Sequence, residues 1–408
     1  MKTSYPKDKI KILLLEGIHK RAVALFKDAG YKQIETVKQA LTPLELTKAI
    51  KDVHLLGIRS KTLVTDQILA NANKLIAIGA FCIGTNQIAM EACNANGIAV
   101  FNAPFSNTRS VAELVIAEII VLLRRLSDKN SQLHLGIWNK SSAQSYEARG
   151  KTLGIVGYGH IGSQVSVLAE AMGMRVIYFD VVPKLPLGNA TACKTMEQLL
   201  EQSDVITYHV PGLPSTKNLL SEKYIRKMKP GVIVINNARG DIGNEKDIQL
   251  AIQAGTIAGF AADVFTHEPE SNSLPFESPL RGLPNTFLTP HIGGSTEEAQ
   301  ENIGVDVATK MLQYLDTGSS MGSLTVPQIN LPVQDGTHRL LHVHKNIPGV
   351  LSAINTLMSS KKANILGQYL QTNANIGYVV LDIDKKTGSS IIENLKKVKG
   401  TIKVRNLY

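Results

Sequence analysis

Cysteine is scarce: Cys82, Cys93 and Cys193 are the only three in 408 residues. They form no metal-ligand spacing, so no metal is expected, and their odd number and scatter fit a reducing cytoplasm. Long apolar runs are missing too. The run 12–15 stops at Glu16, too short for a signal-peptide core, and 111–123 is interrupted by Glu113 and Glu118 and reads as an amphipathic helix. No membrane segment is expected. Aromatic residues make up 5% of the chain and include one tryptophan, Trp138. The net charge of +10 raises nucleic-acid binding, but the lysines are dispersed and no basic helix or aromatic–basic platform accompanies them. The charge reads instead as a soluble surface that attracts anionic substrates and nucleotides.

What is present is α/β alternation on a scale that exceeds one core, so two or three domains are expected. Buried parallel strands are predicted at 10–15, 55–58, 75–78 and 98–101, then a long helix from 109 through 126 that carries the chain into a second domain. That domain predicts strands at 153–156, 175–179, 205–208, 232–236, 257–260 and 286–288, a doubly wound sheet. A helix follows at 295–315, then a Pro-, Gly- and polar-rich linker at 326–336. The last part predicts strand, helix, hairpin, helix and strand: 340–344, 350–360, 365–370, 377–382, 391–398 and 401–404. This βαββαβ order suggests a small ferredoxin-like module.

Gly157-Tyr158-Gly159-His160-Ile161-Gly162 lies between a predicted strand and a predicted helix. Glycines in that setting let the backbone turn tightly and approach a pyrophosphate, whose charge the helix N-terminus stabilises. Asp180 ends the next strand, where a carboxylate holds ribose hydroxyls and repels a 2′-phosphate, so NAD is favoured over NADP. A loop cap is the alternative role for Asp180.

Three later residues carry the chemistry. His291 follows Thr289-Pro290 and precedes Gly293-Gly294, a tight turn at a strand end where an imidazole suits proton transfer near neutral pH. Glu268 offers the carboxylate that would raise its pKa and fix its tautomer. Arg239, in Asn237-Ala238-Arg239-Gly240, has a fork that binds a carboxylate and polarises a reacting carbonyl. Together they read as hydride transfer on a small 2-hydroxy acid.

Over nearly its whole length the sequence resembles the D-isomer-specific 2-hydroxyacid dehydrogenases, in the branch that serves serine synthesis. The likeness runs through Phe101-Asn102-Ala103-Pro104, residues 105–113, the glycine turn, 237–240, 263–269 and 289–296. The Phe105-Ser106-Asn107-Thr108-Arg109-Ser110 stretch narrows it to that branch. The resemblance implies two doubly wound Rossmann-like domains, a substrate domain of 1–106 with 295–332 and an NAD domain of 107–294, followed by an ACT module at 337–408. It implies His291 as acid–base, Glu268 as its partner and Arg239 as substrate-orienting residue. Cofactor contacts are expected from Gly157, Gly159, His160, Ile161, Gly162, Asp180, Asn237, Ala238, Arg239, Asp263, His291, Ile292, Gly293 and Gly294.

The substrate implied is D-3-phosphoglycerate, held by Arg59, Ser60 and Asn107 with Lys38 and Lys140, and 2-oxoglutarate is implied as a further substrate. Solvated surface lysines are the alternative for Lys38 and Lys140. Trp138 looks like a residue that packs into a neighbouring subunit of a homotetramer, with a core aromatic as its alternative. His344, Asn346 and Asn364 of the ACT module match residues that bind L-serine as an inhibitor; a helix-capping Asn346 and an exposed His344 are the alternative. The stretch Asp335-Gly336-Thr337-His338-Arg339 departs from the paired glycines and richer arginine of relatives, and Thr337 restricts φ where glycine would not. Rival readings are another D-2-hydroxyacid dehydrogenase and a nucleotide-sensing corepressor on the same fold.

Overall fold

A computed structural model describes residues 6–269, 273–332, 336–384 and 389–407. Asp335 of the expected hinge lies outside them. The chain forms two compact units, Met1–Ser106 with Gln300–Tyr408, and Asn107–Ala299.

The first unit begins with a parallel sheet in the order β2-β1-β3-β4-β5, made of β1 (Lys11–Leu14), β2 (Gln33–Thr36), β3 (Leu55–Ile58), β4 (Ala77–Ala80) and β5 (Ala99–Asn102). Every residue of β3, β4 and β5 is buried, so these strands read as apolar runs, broken only by Asn102 at the end of β5. The edge strand β2 is largely exposed, and its polar sequence Gln33-Ile34-Glu35-Thr36 gave no apolar pattern to detect.

The second unit holds β6 (Thr152–Val156), β7 (Arg175–Phe179), β8 (Thr191–Ala192), β9 (Val205–Tyr208), β10 (Val232–Asn236), β11 (Ile257–Ala262) and β12 (Thr286–Leu288). All pair in parallel in the order β12-β11-β10-β9-β6-β7-β8. The order reverses at β6 and β9, the switch point where such sheets bind ligands beyond their carboxyl ends.

The helix expected to run through 126 is Thr108–Arg124; it stops because Arg125 takes a left-handed φ of 52°, and a separate helix Leu126–His134 follows. Glu118, read from the sequence as an interruption of the apolar face, is instead fully buried.

The C-terminal sheet comprises β13 (His338–Lys345), β14 (Ile365–Thr372), β15 (Ile376–Ile383) and β16 (Thr401–Asn406), antiparallel in the order β14-β15-β13-β16. With helices Val350–Ser360 and Ser389–Lys396 this is the expected βαββαβ module. Strand β15 is buried throughout because it serves two cores. Val379, Leu381 and Ile383 face the module's own helices, with Val350, Ile354 and Leu395. Ile376, Tyr378 and Val380 join the core of the first sheet, with Ile12, Phe26 and Tyr314.

The predicted linker is packed rather than loose. Val326, Ile329 and Leu331 are buried in that same core, and the Ser320 hydroxyl donates to Pro327 O at 2.6 Å while accepting from Ile329 N at 2.8 Å. At its end Gly336 has a φ of 78°, whereas Thr337 keeps a negative φ and needs no glycine.

One ion pair is sealed into this junction. Arg339 and Asp382 face each other across β13 and β15 at 0% side-chain exposure, with Nε–Oδ1 at 2.7 Å and Nη2–Oδ2 at 2.8 Å. The guanidinium also donates to Thr317 O and Pro332 O, both at 2.9 Å. Removing one partner strands the other charge in the core. Arg339→Ala is expected to cost about 3–5 kcal/mol in urea unfolding, and the double variant Arg339→Met/Asp382→Leu to recover most of it. A single-variant loss below about 1 kcal/mol would contradict this assignment.

Candidate active site

The glycine turn forms as its spacing requires. Gly157 leaves β6 with a φ of 95°, and a Cβ there would collide with His209 O. A Cβ on Gly162 would collide with Gly157 O, so the helix His160–Ala171 starts tight against the turn. Gly159 is different: nothing lies within 4 Å of its Cβ position. Open space at a helix N-terminus beside the switch point fits a dinucleotide pyrophosphate. Ile161 is half-buried and His160 exposed in the first turn of this helix.

Asp180 follows β7, and its carboxylate accepts from Tyr158 N at 2.8 Å and Val182 N at 2.9 Å. It therefore caps its own loop and braces the glycine turn together. A carboxylate offers about four acceptor positions, so capacity for ribose hydroxyls remains.

The other strands of this sheet deliver the acid–base group. Asp263, 2% exposed, immediately follows β11 and organises the turn after β12. Its Oδ1 accepts from Thr289 Oγ1 at 2.6 Å and Ile292 N at 2.8 Å, and its Oδ2 from Gly293 N at 2.7 Å. These bonds bracket His291, which sits at a left-handed φ of 54°. Asn107 packs against Gly294, where a Cβ would run into its amide.

His291 Nδ1 lies 2.8 Å from Glu268 Oε2. Glu268 Oε1 accepts from Phe265 N at 3.2 Å, so both carboxylate oxygens are engaged. Burial would raise the Glu268 carboxyl, but the His291 bond, its charge and Arg239 hold it below the usual range. The Glu268 hydrogen bond conversely lifts the His291 imidazole above its ordinary value, against partial burial. An ionised carboxylate only accepts, so Nδ1 carries the proton and Nε2 is left as the basic nitrogen.

Arg239 follows β10. Asn236 shapes its loop, its side chain donating to Arg239 O at 3.0 Å and accepting from Ala238 N at 3.2 Å. A Cβ on Gly240 would overlap Phe265 O, so only glycine lets this loop lie against the loop of Glu268. Arg239, Glu268 and His291, far apart in sequence, thus share one electrostatic neighbourhood.

Sequence reasoning missed Glu118. It lies beneath this loop and accepts from Asn237 Nδ2 at 2.7 Å. Burial, with Asp263 adding to it, pushes its carboxyl up to about 8 despite the Asn237 bond.

The expected substrate residues are divided between the units. Arg59 and Ser60 follow β3 in the first, as does exposed Lys38 after β2; Asn107 and exposed Lys140 belong to the second. Arg59 rides on a loop organised by Glu16, whose buried carboxylate accepts from Arg59 N, Lys61 N and Thr62 N at 2.9–3.0 Å. Glu16 sits at a φ of 61°, and the sequence showed it only as the end of an apolar run. Trp138 is 80% exposed, which removes the core-aromatic alternative.

In the C-terminal module His344 is buried, its Nδ1 2.7 Å from Lys345 O and its Nε2 without a partner. Asn346 is exposed and donates to Asn373 O at 2.8 Å. Asn364 precedes β14 at the other end of the sheet, since Ile365 pairs with Ile383 while Lys345 pairs with Ile376. One chain therefore does not bring the three together.

Comparison with known proteins places this geometry. The family model described as D-isomer specific 2-hydroxyacid dehydrogenase, NAD binding domain, matches residues 116–293, and that described as AHAS small subunit-like ACT domain matches 340–403. The chain is 51% identical over 407 residues to D-3-phosphoglycerate dehydrogenase of Haemophilus influenzae, covering 100% of this chain and 99% of that one. It is 50% identical over 409 residues to the Escherichia coli enzyme of the same name, covering 100% of both. Among solved structures, the NAD-complexed D-isomer specific 2-hydroxyacid dehydrogenase of Lactobacillus delbrueckii superposes with a TM-score of 0.67 at 26% identity, over 77% of this chain and 99% of that one.

The raised carboxyl of Glu118 has a measurable consequence. The folded state keeps a proton there that the unfolded state releases in the ordinary carboxylate range. Folding stability contributed by this group is thus present at low pH and lost as pH rises toward about 8, by at most about 1.4 kcal/mol per pH unit. Glu118→Gln is expected to flatten that decline in urea titrations between pH 5 and 9. An unchanged slope would show that Glu118 is already ionised at neutral pH.

Proposed function

The chain belongs to the D-isomer-specific 2-hydroxyacid dehydrogenases, among the D-3-phosphoglycerate dehydrogenases, and we propose that it oxidises D-3-phosphoglycerate to 3-phosphohydroxypyruvate, the first step of L-serine synthesis. It is an NAD-dependent oxidoreductase. The observation that carries the reading is the Glu268–His291 pair beside Arg239 on a sheet whose glycine turn leaves room at Gly159.

Gly157 to Gly162, Asp180, Asn237 to Arg239, Asp263 and His291 to Gly294 would hold NAD, which when bound supplies the hydride acceptor. His291 Nε2 takes the hydroxyl proton as the alcohol becomes a carbonyl. Glu268 stabilises the resulting imidazolium through Nδ1–H and holds the ring in the required tautomer. Arg239 pairs with the substrate carboxylate and polarises the neighbouring oxygen. Arg59 and Ser60, with Asn107, Lys38 and Lys140, provide for a phosphate. The reverse chemistry suits 2-oxoglutarate, a second carboxylate-bearing substrate.

The regulatory reading rests on the ACT match and on buried, unpartnered His344 Nε2. L-serine would bind His344 and Asn346 of one module and Asn364 of a second copy, within a homotetramer in the cytoplasm. Among the described residues no helix is long and apolar enough to cross a membrane.

Replacing His291 with Asn should lower kcat by roughly two to four orders of magnitude while NAD binding persists; near wild-type turnover would remove His291 from the mechanism. For wild type, kcat/KM of oxidation should rise with pH through a midpoint above the ordinary histidine value, because the neutral imidazole is the base. Glu268→Gln should move that midpoint down, and an unmoved midpoint would deny the coupling. In calorimetry L-serine should bind wild type and not Asn346→Ala; absence of binding to wild type at millimolar concentration refutes the effector site.

A further inference from the structure

A cavity of about 520 Å³ lies within the first unit, at the opposite end of its sheet from Arg59. Ile10, His54 and Ile76 on its wall immediately precede β1, β3 and β4, so it opens at the amino ends of the strands. Ligands of the main site belong at the carboxyl ends. The facing wall is β16, from Lys403 to Asn406, with Leu407 beyond it.

The lining contains Lys7, Lys74, Lys403 and Arg405 and no carboxylate residue. Two of these cations are paired behind the wall, Lys7 with Asp316 at 3.0 Å and Lys74 with Asp52 at 2.9 Å. The other two are not. Lys403 Nζ donates to Leu75 O at 2.6 Å. Arg405 donates to Leu315 O at 3.1 Å and lies 5.3 Å over the Tyr314 ring. Among the described residues neither forms an ion pair with an acid.

We infer that this cavity binds a small organic anion, a phosphate or carboxylate head on a short apolar body, held between β16 of the C-terminal module and the strand starts of the first sheet. Arg405 supplies a planar fork and Lys403 a compact charge, the two donors that recognise such oxyanions. Ile10, Ile76 and Leu315 give the body an apolar surface. Partial burial pulls the Lys403 ammonium down to about 8, and Arg405 adds to this; a bound anion would offset both. The site is independent of the dehydrogenase reading, since no residue of the proposed catalytic or effector sites lines it.

The test uses the full chain with inorganic phosphate and with glutarate as separate probes. Hydrogen exchange should show protection of residues 401–407 and 74–76 by at least one probe, and the thermal midpoint should rise by about 2 °C or more at tenfold the dissociation constant. Protection by phosphate alone assigns a phosphate head, and protection by glutarate a carboxylate. Lys403→Met should fold with unchanged or higher intrinsic stability, because a desolvated charge is removed, yet lose the cavity protection. Arg405→Gln should lose it as well. Both variants keep Arg239 and Arg59, so anion binding at the substrate residues persists in them and subtracts out. No protection of 401–407 in wild type, or full protection in both variants, overturns the inference.

Discussion

Asp263 places a nearly fully buried carboxylate under the turn that follows β12, and three hydrogen bonds of 2.6–2.8 Å tie that turn to β11. Without those acceptors Ile292 N and Gly293 N would lose their partners, and the left-handed His291 would keep only the His291 N to Thr289 O bond and the Glu268 contact. The imidazole is thus aimed by backbone geometry, and Glu268 completes the aim through Nδ1. A general base has to lie within hydrogen-bond reach of its proton, so the rigid turn is needed alongside the chemistry of the ring.

The same logic of close backbone approach recurs on the neighbouring strands. Gly240 lets the Arg239 loop rest on Phe265 O, and Gly157 and Gly162 bring a helix N-terminus to the end of β6. Asn237 is fixed from below by Glu118. Parallel strands with all their functional loops at one end make this possible, because the core beneath is apolar on both faces. In the C-terminal sheet the corresponding constraint is electrostatic. Arg339 and Asp382 sit at zero exposure and tie β13 to Thr317 and Pro332, which fixes one way of docking that sheet rather than adding a large net stability.

Much of this was legible in the amino-acid sequence because it is local or periodic. The strands 205–208 and 232–236 coincide with β9 and β10, since fully buried strands are apolar runs bounded by turns. The glycine turn, Asp180, Arg239, Glu268 and His291 stand out in the sequence because their residue types match a chemical task, and the fold brings Arg239, Glu268 and His291 into one neighbourhood. What was hidden depends on neighbours distant in sequence. Glu118 falls at the spacing of the buried helix face, with Val111, Val115 and Leu122, but its charge read as an interruption, and the Asn237 side chain that donates to it comes 119 residues later. Glu16 looked like the end of a strand, yet it gathers three amides from 59–62. The segment from Val326 to Leu331 has a linker's composition, but its three apolar residues find a core that no local pattern reveals. Strand β2 is held by its pairing with β1 at the sheet edge, and its mostly polar, exposed residues leave no apolar run to mark it.

The account rests on the Glu268–His291 pair acting as an oriented base. Nitrogen-15 NMR of the imidazole, titrated in the free protein, reads both of its properties at once. The prediction is a neutral form protonated at Nδ1 with Nε2 bare, and a pKa above that of an ordinary histidine which falls in Glu268→Gln. A neutral ring protonated at Nε2, or a pKa at or below the ordinary value that ignores the Glu268 substitution, would contradict it.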